Sequence, residues 1–287
     1  MSIVAAALFM VALGAILAAV LAIASRKLHV HEDPRIEEVE EMLPHANCGA
    51  CGYPGCRAFA EATVKGEASP SKCTVNSAEM NNVIAEFLGV SLSQQTKIVA
   101  RLACAGGNHV ARMRAEYAGM GTCRAAAVSG GGGKACVWGC LGLGDCEIAC
   151  DFDAIHMNAV GLPVVNEDKC VACNDCVEVC PRDLFSLQPV THRLWVACKS
   201  LAEGDQALAE CEVACNGCAR CAADAPDVIR MENNLAVVDY TKKHANARHA
   251  IERCPTGAIG WWEGPNLVKG AAAKRIVRKS PLPVEED

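Results

Sequence analysis

Residues 170–181 read CVACNDCVEVCP, and their four cysteines decide how this part of the chain folds. The spacing is Cys-x2-Cys-x2-Cys-x3-Cys-Pro, in which three close thiols wrap one corner of an iron–sulfur cubane and the fourth reaches a second cubane. Cys170, Cys173 and Cys176 form the local trio, and Cys180 is the crossing residue. The stretch therefore predicts two [4Fe–4S] clusters with crossed ligands.

The second cluster of this pair draws on cysteines upstream. Under the crossing rule, Cys150 completes the site of the local trio. Cys180 then joins the upstream trio, and the predicted ligands of the second cluster are Cys136, Cys140, Cys146 and Cys180. The upstream spacing, Cys-x3-Cys-x5-Cys, departs from the usual run. All-cysteine zinc sites are the alternative, but eight thiols in a crossed frame favour iron and sulfur.

The same frame returns later in the chain with half of its ligands missing. One half is intact, and its predicted ligands are Cys215, Cys218, Cys221 and Cys254. The other half has alanine or histidine at every ligand position, namely Ala225, His244, Ala247 and Ala250. Even if His244 or His249 served as a substitute ligand, this half would have too few ligands for a cluster. This repeat is therefore predicted to hold one cluster.

The N-terminal part combines an apolar segment with a further cysteine set. From Met1 to Ala24 there is no charged side chain. A helix from Val4 to Ala24 reaches roughly 31 Å, enough to cross a bilayer core. A cleaved signal peptide is the alternative, but it needs a basic first region and usually a shorter apolar stretch. Arg26 and Lys27 follow the span, which predicts that the rest lies in the cytoplasm.

After this anchor the chain carries a self-contained set of four thiols. They are Cys48, Cys51, Cys56 and Cys73, in a stretch rich in glycine that lets the backbone wrap closely around a cluster. A zinc knuckle is the alternative for this set. With the two sites of the crossed pair and the single site of the last repeat, the expected total is about four [4Fe–4S] clusters.

Composition agrees with small metal-stapled domains. The chain has 287 residues, 20 of them cysteine, and aromatic residues make up only 4%, so conventional core packing is modest. The net charge of −6 argues against nucleic acid as a partner.

The predicted fold class is α+β, with one N-terminal transmembrane helix, a small 4Fe-4S module and two ferredoxin-like repeats of βαβ type. The predicted segments are 1–27 (transmembrane anchor), 28–45 (linker helix), 46–96 (N-terminal 4Fe-4S module), 97–135 (connecting segment), 136–197 (dicluster domain), 198–263 (degenerate ferredoxin-like domain with one cluster) and 264–287 (disordered tail).

Four cysteines stay outside these sets: Cys104, Cys123, Cys198 and Cys211. They are either buried thiols without a ligand role or parts of a further site, and the sequence leaves both open. The run GGGGK at 130–134 lacks the frame of a phosphate-binding loop, so a flexible joint is expected there. There is also no dinucleotide fingerprint and no nucleophile–base arrangement. No substrate catalysis is expected in this chain alone.

The chain resembles the B subunit of the Rnf (Rsx) electron-transport complex. The resemblance rests on the N-terminal anchor, on LPHANCGACGYPGC with Cys73, and on CVWGCLGLGDCEIACDFDAI followed by CVACNDCVEVCP. It implies a subunit of a bacterial cytoplasmic (inner) membrane complex, a ferredoxin:NAD oxidoreductase that translocates Na⁺ or H⁺. Soluble ferredoxin is the implied electron donor, and other subunits, carrying flavins and the nicotinamide site, are the implied acceptors. The Rsx branch implies an alternative, a membrane-tethered relay that keeps a redox-sensing regulator reduced.

Overall fold

The computed structural model describes residues 3–28, 33–92 and 96–284. Its first element is helix α1, Ile3–Leu28. Within α1, the segment Ala7–Lys27 is long and apolar enough to cross a membrane, judged by length and composition, and none of it is buried by the residues that the structure describes. A helix of this length and composition is a candidate membrane span.

Three helices and one turn of 3-10 helix form the N-terminal module. They are α2 (Arg35–Glu41), α3 (Cys56–Val64), the 3-10 turn (Pro70–Lys72) and α4 (Ala78–Leu88). Ile36 and Val39 lie on one face of α2 and pack with Phe59 and Ile84 in a small core. The Ser77 hydroxyl caps α4 by accepting from the Met80 N–H at 3.1 Å.

The dicluster domain contains two antiparallel strand pairs and several short helices. Strand β1 (Ile98–Leu102) pairs with β4 (Phe185–Pro189), and β2 (Ile155–Met157) pairs with β3 (Pro163–Val165). The helices are α5 (Cys123–Val128), α6 (Asp145–Ile148) and α7 (Asp175–Val179). Because β1 pairs with β4, the segment predicted as a connector supplies a strand of this domain.

The last module has one sheet of three strands, one hairpin and short helices. The sheet runs β5 (Leu194–Val196), β8 (Ile259–Glu263) and β9 (Asn266–Lys269), and the hairpin is β6 (Ile229–Glu232) with β7 (Leu235–Val238). The helices are α8 (Gly204–Glu210), α9 (Arg220–Asp224) and a 3-10 helix (Ala247–Ile251). Strand β5 precedes the predicted boundary at 198, yet it pairs with β8 of the last module.

The segment after 263 differs from the expected disordered tail. Residues 266–269 form β9, and further along the Leu282 N–H donates to the Asn108 carbonyl at 2.9 Å. The Lys274 ammonium also lies 2.6 Å from the Glu212 carboxylate. These partners lie far away in sequence, so local composition could not reveal them. Residues 285–287 of the predicted tail lie outside the described residues.

The expected flexible joint is instead a tight turn. Residues Gly130–Gly133 form a turn with a left-handed backbone, because φ is positive at all four glycines. At Gly133 a β-carbon would lie 2.0 Å from the Ala115 carbonyl oxygen, so only glycine fits there.

A buried arginine joins the dicluster domain to the last module. Arg101 on β1 is 3% exposed, and its guanidinium lies 2.7 Å from the Glu167 carboxylate. The same guanidinium lies 4.0 Å from the centre of the Trp262 ring on β8. Close by, the Trp195 indole N–H donates to the Leu102 carbonyl at 2.9 Å. These contacts fix the two domains against each other.

Candidate metal centres

Five cavities are each lined by four cysteine thiols, and no cysteine lines two of them. Together they take up all 20 cysteines of the chain, none of which forms a disulfide. The cavities are therefore the candidate functional sites. Three match the predicted ligand sets, and two divide the remaining cysteines in a way that differs from the prediction.

The N-terminal cavity contains the set predicted there, Cys48, Cys51, Cys56 and Cys73. Asn47 shapes it, because its side-chain oxygen accepts from the Cys56 N–H at 2.8 Å. Gly49 and Gly52 have φ of +71° and +85°, a left-handed backbone that brings the cysteine loop around the cavity.

The next cavity contains the local trio and its predicted crossing partner: Cys150, Cys170, Cys173 and Cys176. Two backbone N–H groups point at its sulfurs. The Ala100 N–H lies 3.4 Å from the Cys170 sulfur, and the Ala154 N–H lies 3.3 Å from the Cys150 sulfur. Such N–H donors stabilise thiolates that bind a cluster, and they tune its potential.

The second cavity of the dicluster domain differs from the predicted set. It is lined by Cys123, Cys140, Cys146 and Cys180, so Cys123 takes the place predicted for Cys136. Helix α5 begins at Cys123, and the Thr122 hydroxyl caps it by accepting from the Ala125 N–H at 3.2 Å. The Leu184 N–H lies 3.5 Å from the Cys180 sulfur.

The Asp145 carboxylate accounts for the position of Cys123. It accepts from the Cys123 N–H at 2.9 Å and from the Arg124 N–H at 3.2 Å. Because Asp145 lies beside Cys146 at the start of α6, these bonds hold the first turn of α5 against the cluster loop. No local spacing signals this contact, which spans more than twenty residues.

Backbone pairing carries Cys136 to a different cavity. The Ala135 N–H donates to the Arg112 carbonyl at 3.0 Å, and Lys134 forms an antiparallel bridge with Met113. On the same strand-like segment, Ala111 bridges to Cys211. Cys136 therefore lines a cavity with Cys104, Cys198 and Cys211.

The cavity of the last module contains its predicted set, Cys215, Cys218, Cys221 and Cys254. Apolar packing fills the half of this repeat that is predicted to hold no cluster. Ala225, Ala247 and Ala250 are buried in the module's core with Leu194 and Ile251.

His244 and His249 make contacts elsewhere. The His244 ring packs edge-on against His192 and Tyr240, with centroid distances of 4.9 and 5.4 Å. A ring nitrogen of His249 lies 2.9 Å from the Asp224 carbonyl. Neither histidine lines the cavity of the last module's cysteines.

Each of these cavities offers the donor set of a four-iron cluster, namely four cysteine thiols. A zinc ion needs its ligands within about 2.3 Å of one point. Among the described residues, no three Cys, His, Asp or Glu side chains are close enough together to hold one ion. A four-iron cubane takes four cysteine thiolates as its protein ligands.

Burial makes the thiols dependent on that metal. It raises the pKa to about 12 for several thiols, which therefore become thiolates at neutral pH only when a metal binds them. They are Cys140, Cys146, Cys173, Cys176 and Cys221.

Comparison with protein families supports three iron–sulfur regions. An Fe-S cluster family matches residues 43–75, a 4Fe-4S dicluster domain matches 137–187, and a 4Fe-4S single cluster domain of Ferredoxin I matches 211–261. The predicted architecture of a small module followed by two ferredoxin-like domains is confirmed by these matches, and the chain holds multiple 4Fe-4S clusters.

Three curated relatives are similar to most of the chain, and each is the B subunit of a larger complex. That of the Na(+)-translocating ferredoxin:NAD(+) oxidoreductase complex of Acetobacterium woodii is 40% identical over 83% of this chain and 72% of its own length. That of the ion-translocating oxidoreductase complex of Methanosarcina acetivorans is 34% identical, over 86% and 94%. That of the proton-translocating ferredoxin:NAD(+) oxidoreductase complex of Clostridium ljungdahlii is 36% identical, over 87% and 89%. With its three iron–sulfur regions and this similarity along most of its length, the chain belongs to the family of B subunits of Rnf-type ion-translocating oxidoreductase complexes.

Proposed function

We propose that this chain takes electrons from soluble ferredoxin and passes them through its clusters to partner subunits of a membrane-bound ferredoxin:NAD oxidoreductase. The relatives named above support this proposal, because two of them are named for ferredoxin and NAD. The clusters supply one-electron transfer when bound. The protein supplies the thiolates, the N–H donors to sulfur and the positions of the sites.

Four ligand sets carry this function, three of them as the spacing predicts. They are Cys48, Cys51, Cys56 and Cys73; Cys150, Cys170, Cys173 and Cys176; Cys123, Cys140, Cys146 and Cys180; and Cys215, Cys218, Cys221 and Cys254. In the third set we assign Cys123 in place of Cys136, because Cys123 lines that cavity and Cys136 does not.

The observation that carries the proposed path is a contact between two cysteine loops. The Thr74 hydroxyl, next to Cys73, donates to the Val171 carbonyl, next to Cys170, at 2.5 Å. This bond brings the N-terminal site beside the dicluster domain. Since the N-terminal module follows the apolar helix directly, it is suited to deliver electrons to partner subunits in the membrane.

The far end of the chain is suited to receive electrons. Cys218 is the one exposed cysteine among the twenty, and all twenty lie within the described residues. Electron transfer from a soluble donor needs such an exposed site, because the rate falls as the protein layer between the centres thickens. We therefore propose that ferredoxin docks at the last module.

The membrane arrangement follows from the apolar helix. We propose that Ala7–Lys27 anchors the chain as a single span in the cytoplasmic (inner) membrane. Arg26 and Lys27 at the end of the span favour a cytoplasmic position for the cluster domains.

The test separates electron uptake from electron delivery. The whole complex is prepared without oxygen, and two signals are followed after adding reduced ferredoxin: bleaching of cluster absorbance and reduction of NAD⁺. Cys73→Ala should abolish NAD⁺ reduction, because it breaks the N-terminal site, while ferredoxin still bleaches the other clusters. Val75→Ala is the matched control, since Val75 lines the same cavity without supplying a sulfur. Unchanged NAD⁺ reduction in Cys73→Ala, or no bleaching of the native complex by ferredoxin, would contradict the proposal.

A further inference from the structure

We propose that Cys104, Cys136, Cys198 and Cys211 hold a fifth [4Fe–4S] cluster. This inference rests on the proposed function in one respect, the iron–sulfur chemistry of the chain. The matched family regions span 43–75, 137–187 and 211–261, so three of the four cysteines lie outside all of them. The site is built from the tertiary fold rather than from a sequence motif.

Four separate segments bring these thiols together. Cys104 follows β1, Cys136 follows the glycine turn, Cys198 follows β5 and Cys211 follows α8. Backbone bonds tie the segments to each other: the Ala105 N–H donates to the Ala197 carbonyl at 3.0 Å. Isolated thiols in a core need no such convergence, whereas a four-ligand centre does.

Backbone N–H groups point at the sulfurs of this cavity. Cys198 receives two, from Ser200 at 3.4 Å and from Cys215 at 3.3 Å. Cys104 receives one, from Cys140 at 3.5 Å. The same N–H to sulfur contacts occur at Cys150, Cys170 and Cys180 in the dicluster domain. The surroundings therefore suit cluster thiolates.

Gly106, which has no side chain, leaves room in the cavity. At Gly106 a β-carbon would lie 3.0 Å from the Cys211 sulfur and 3.7 Å from the Cys104 sulfur, although Gly106 has no positive φ that requires glycine. The remaining wall is largely apolar, with Ala111, Ala197, Trp138 and Val213. Space between four sulfurs inside an apolar wall is what a cubane occupies.

A lysine offsets the negative charge that four thiolates bring. The Lys134 ammonium lines the cavity and donates to the carbonyl of Gly106 at 2.6 Å and to that of Cys140 at 2.5 Å. A fixed positive charge lowers the free-energy cost of burying thiolates.

The site lies between the two domains whose clusters it would connect. The Cys140 N–H that reaches the Cys104 sulfur belongs to a residue of the dicluster domain's second set. The Cys215 N–H that reaches the Cys198 sulfur belongs to the set of the last module. One hydrogen bond on each side therefore joins this site to its neighbours, and a cluster there would exchange single electrons with both.

The experiment is a metal count on the full-length chain in detergent, purified and reconstituted with iron and sulfide without oxygen. Iron, zinc and acid-labile sulfide are measured per chain for the native protein, Cys211→Ala, Cys104→Ala and the control Val213→Ala. The native chain should hold about twenty irons, at four per cubane. Each cysteine variant should hold about sixteen, with sulfide reduced in parallel. Val213→Ala removes cavity wall but no sulfur, so it should keep about twenty.

The outcomes distinguish this inference from the proposed function. About sixteen irons in the native chain, unchanged in Cys211→Ala, would overturn the fifth cluster and leave the other four. About one zinc per chain that disappears in Cys211→Ala would overturn a cluster at this site in favour of a single ion. A native chain without iron would overturn the proposed function as well. The iron count of the native chain tests for the fifth cluster even if a variant fails to fold.

Discussion

Replacing Asp145 with alanine tests how Cys123 is held in its site. The Asp145 carboxylate accepts the N–H groups of Cys123 and Arg124 at 2.9 and 3.2 Å. A hydrogen bond to a charged group contributes about 1.5–3 kcal/mol. Asp145 is half-buried, so in the variant water can take over part of the hydrogen bonding to the two N–H groups. We therefore assign this free-energy range to the two hydrogen bonds together. The equilibrium constant for packing α5 against the loop of Cys140 and Cys146 should then fall about tenfold to hundredfold.

The assay is the release of iron to a ferrous chelator without oxygen. In Asp145→Ala about four irons, one cluster, should leave at least about tenfold faster than in the native protein, while the other irons keep their rate. Asp151→Ala is the matched control, because Asp151 is an exposed acid beside Cys150 and the change is chemically the same. Equal release curves for the two variants would refute the role of Asp145 in positioning Cys123.

Three further predictions concern single residues. Cys123→Ala should lower the iron content by about four per chain. An unchanged content would indicate that Cys136, and not Cys123, is the ligand at that site. His244→Ala should leave the iron content unchanged, and a loss would mean that the last repeat keeps a second site. Glu167→Ala should lower the free energy of unfolding by about 3 kcal/mol, because it leaves the buried Arg101 charge unpaired. In the exposed control Glu232→Ala the change in denaturant unfolding should stay below about 1 kcal/mol, and similar losses in both variants would contradict this reasoning.

Local spacing in the sequence predicted three cysteine sets that each line one cavity in the structure. The family, the iron–sulfur architecture and the presence of multiple 4Fe-4S clusters are confirmed. The crossing rule also predicted a set that lines one cavity in the structure, with Cys150 beside the trio that begins at Cys170. The sequence can predict such a set because three ligands of a cubane lie within one loop, and the proline after Cys180 marks the crossing segment.

Sites that depend on long-range contacts could not be predicted in this way. Cys123 and Cys136 are both upstream of Cys140. The Asp145 contact and the pairing of 134–135 with 112–113 place them in different cavities. One signal was available in the sequence: the spacing from Cys136 to Cys140 departs from the usual run. The paired tail after residue 263 depends in the same way on partners distant in sequence.

We expect the apolar packing around Ala225, Ala247 and Ala250 to affect how the protein matures. Ala250 is fully buried, and Ala225 and Ala247 are nearly so, in a core shared with Leu194 and Ile251. Apolar packing of this kind forms without a metal supply, whereas a cluster site acquires its shape only when iron and sulfide arrive. We therefore expect this half of the last module to fold soon after synthesis. It then offers a preformed scaffold against which the cysteine loops can be loaded, even when a cell is short of iron.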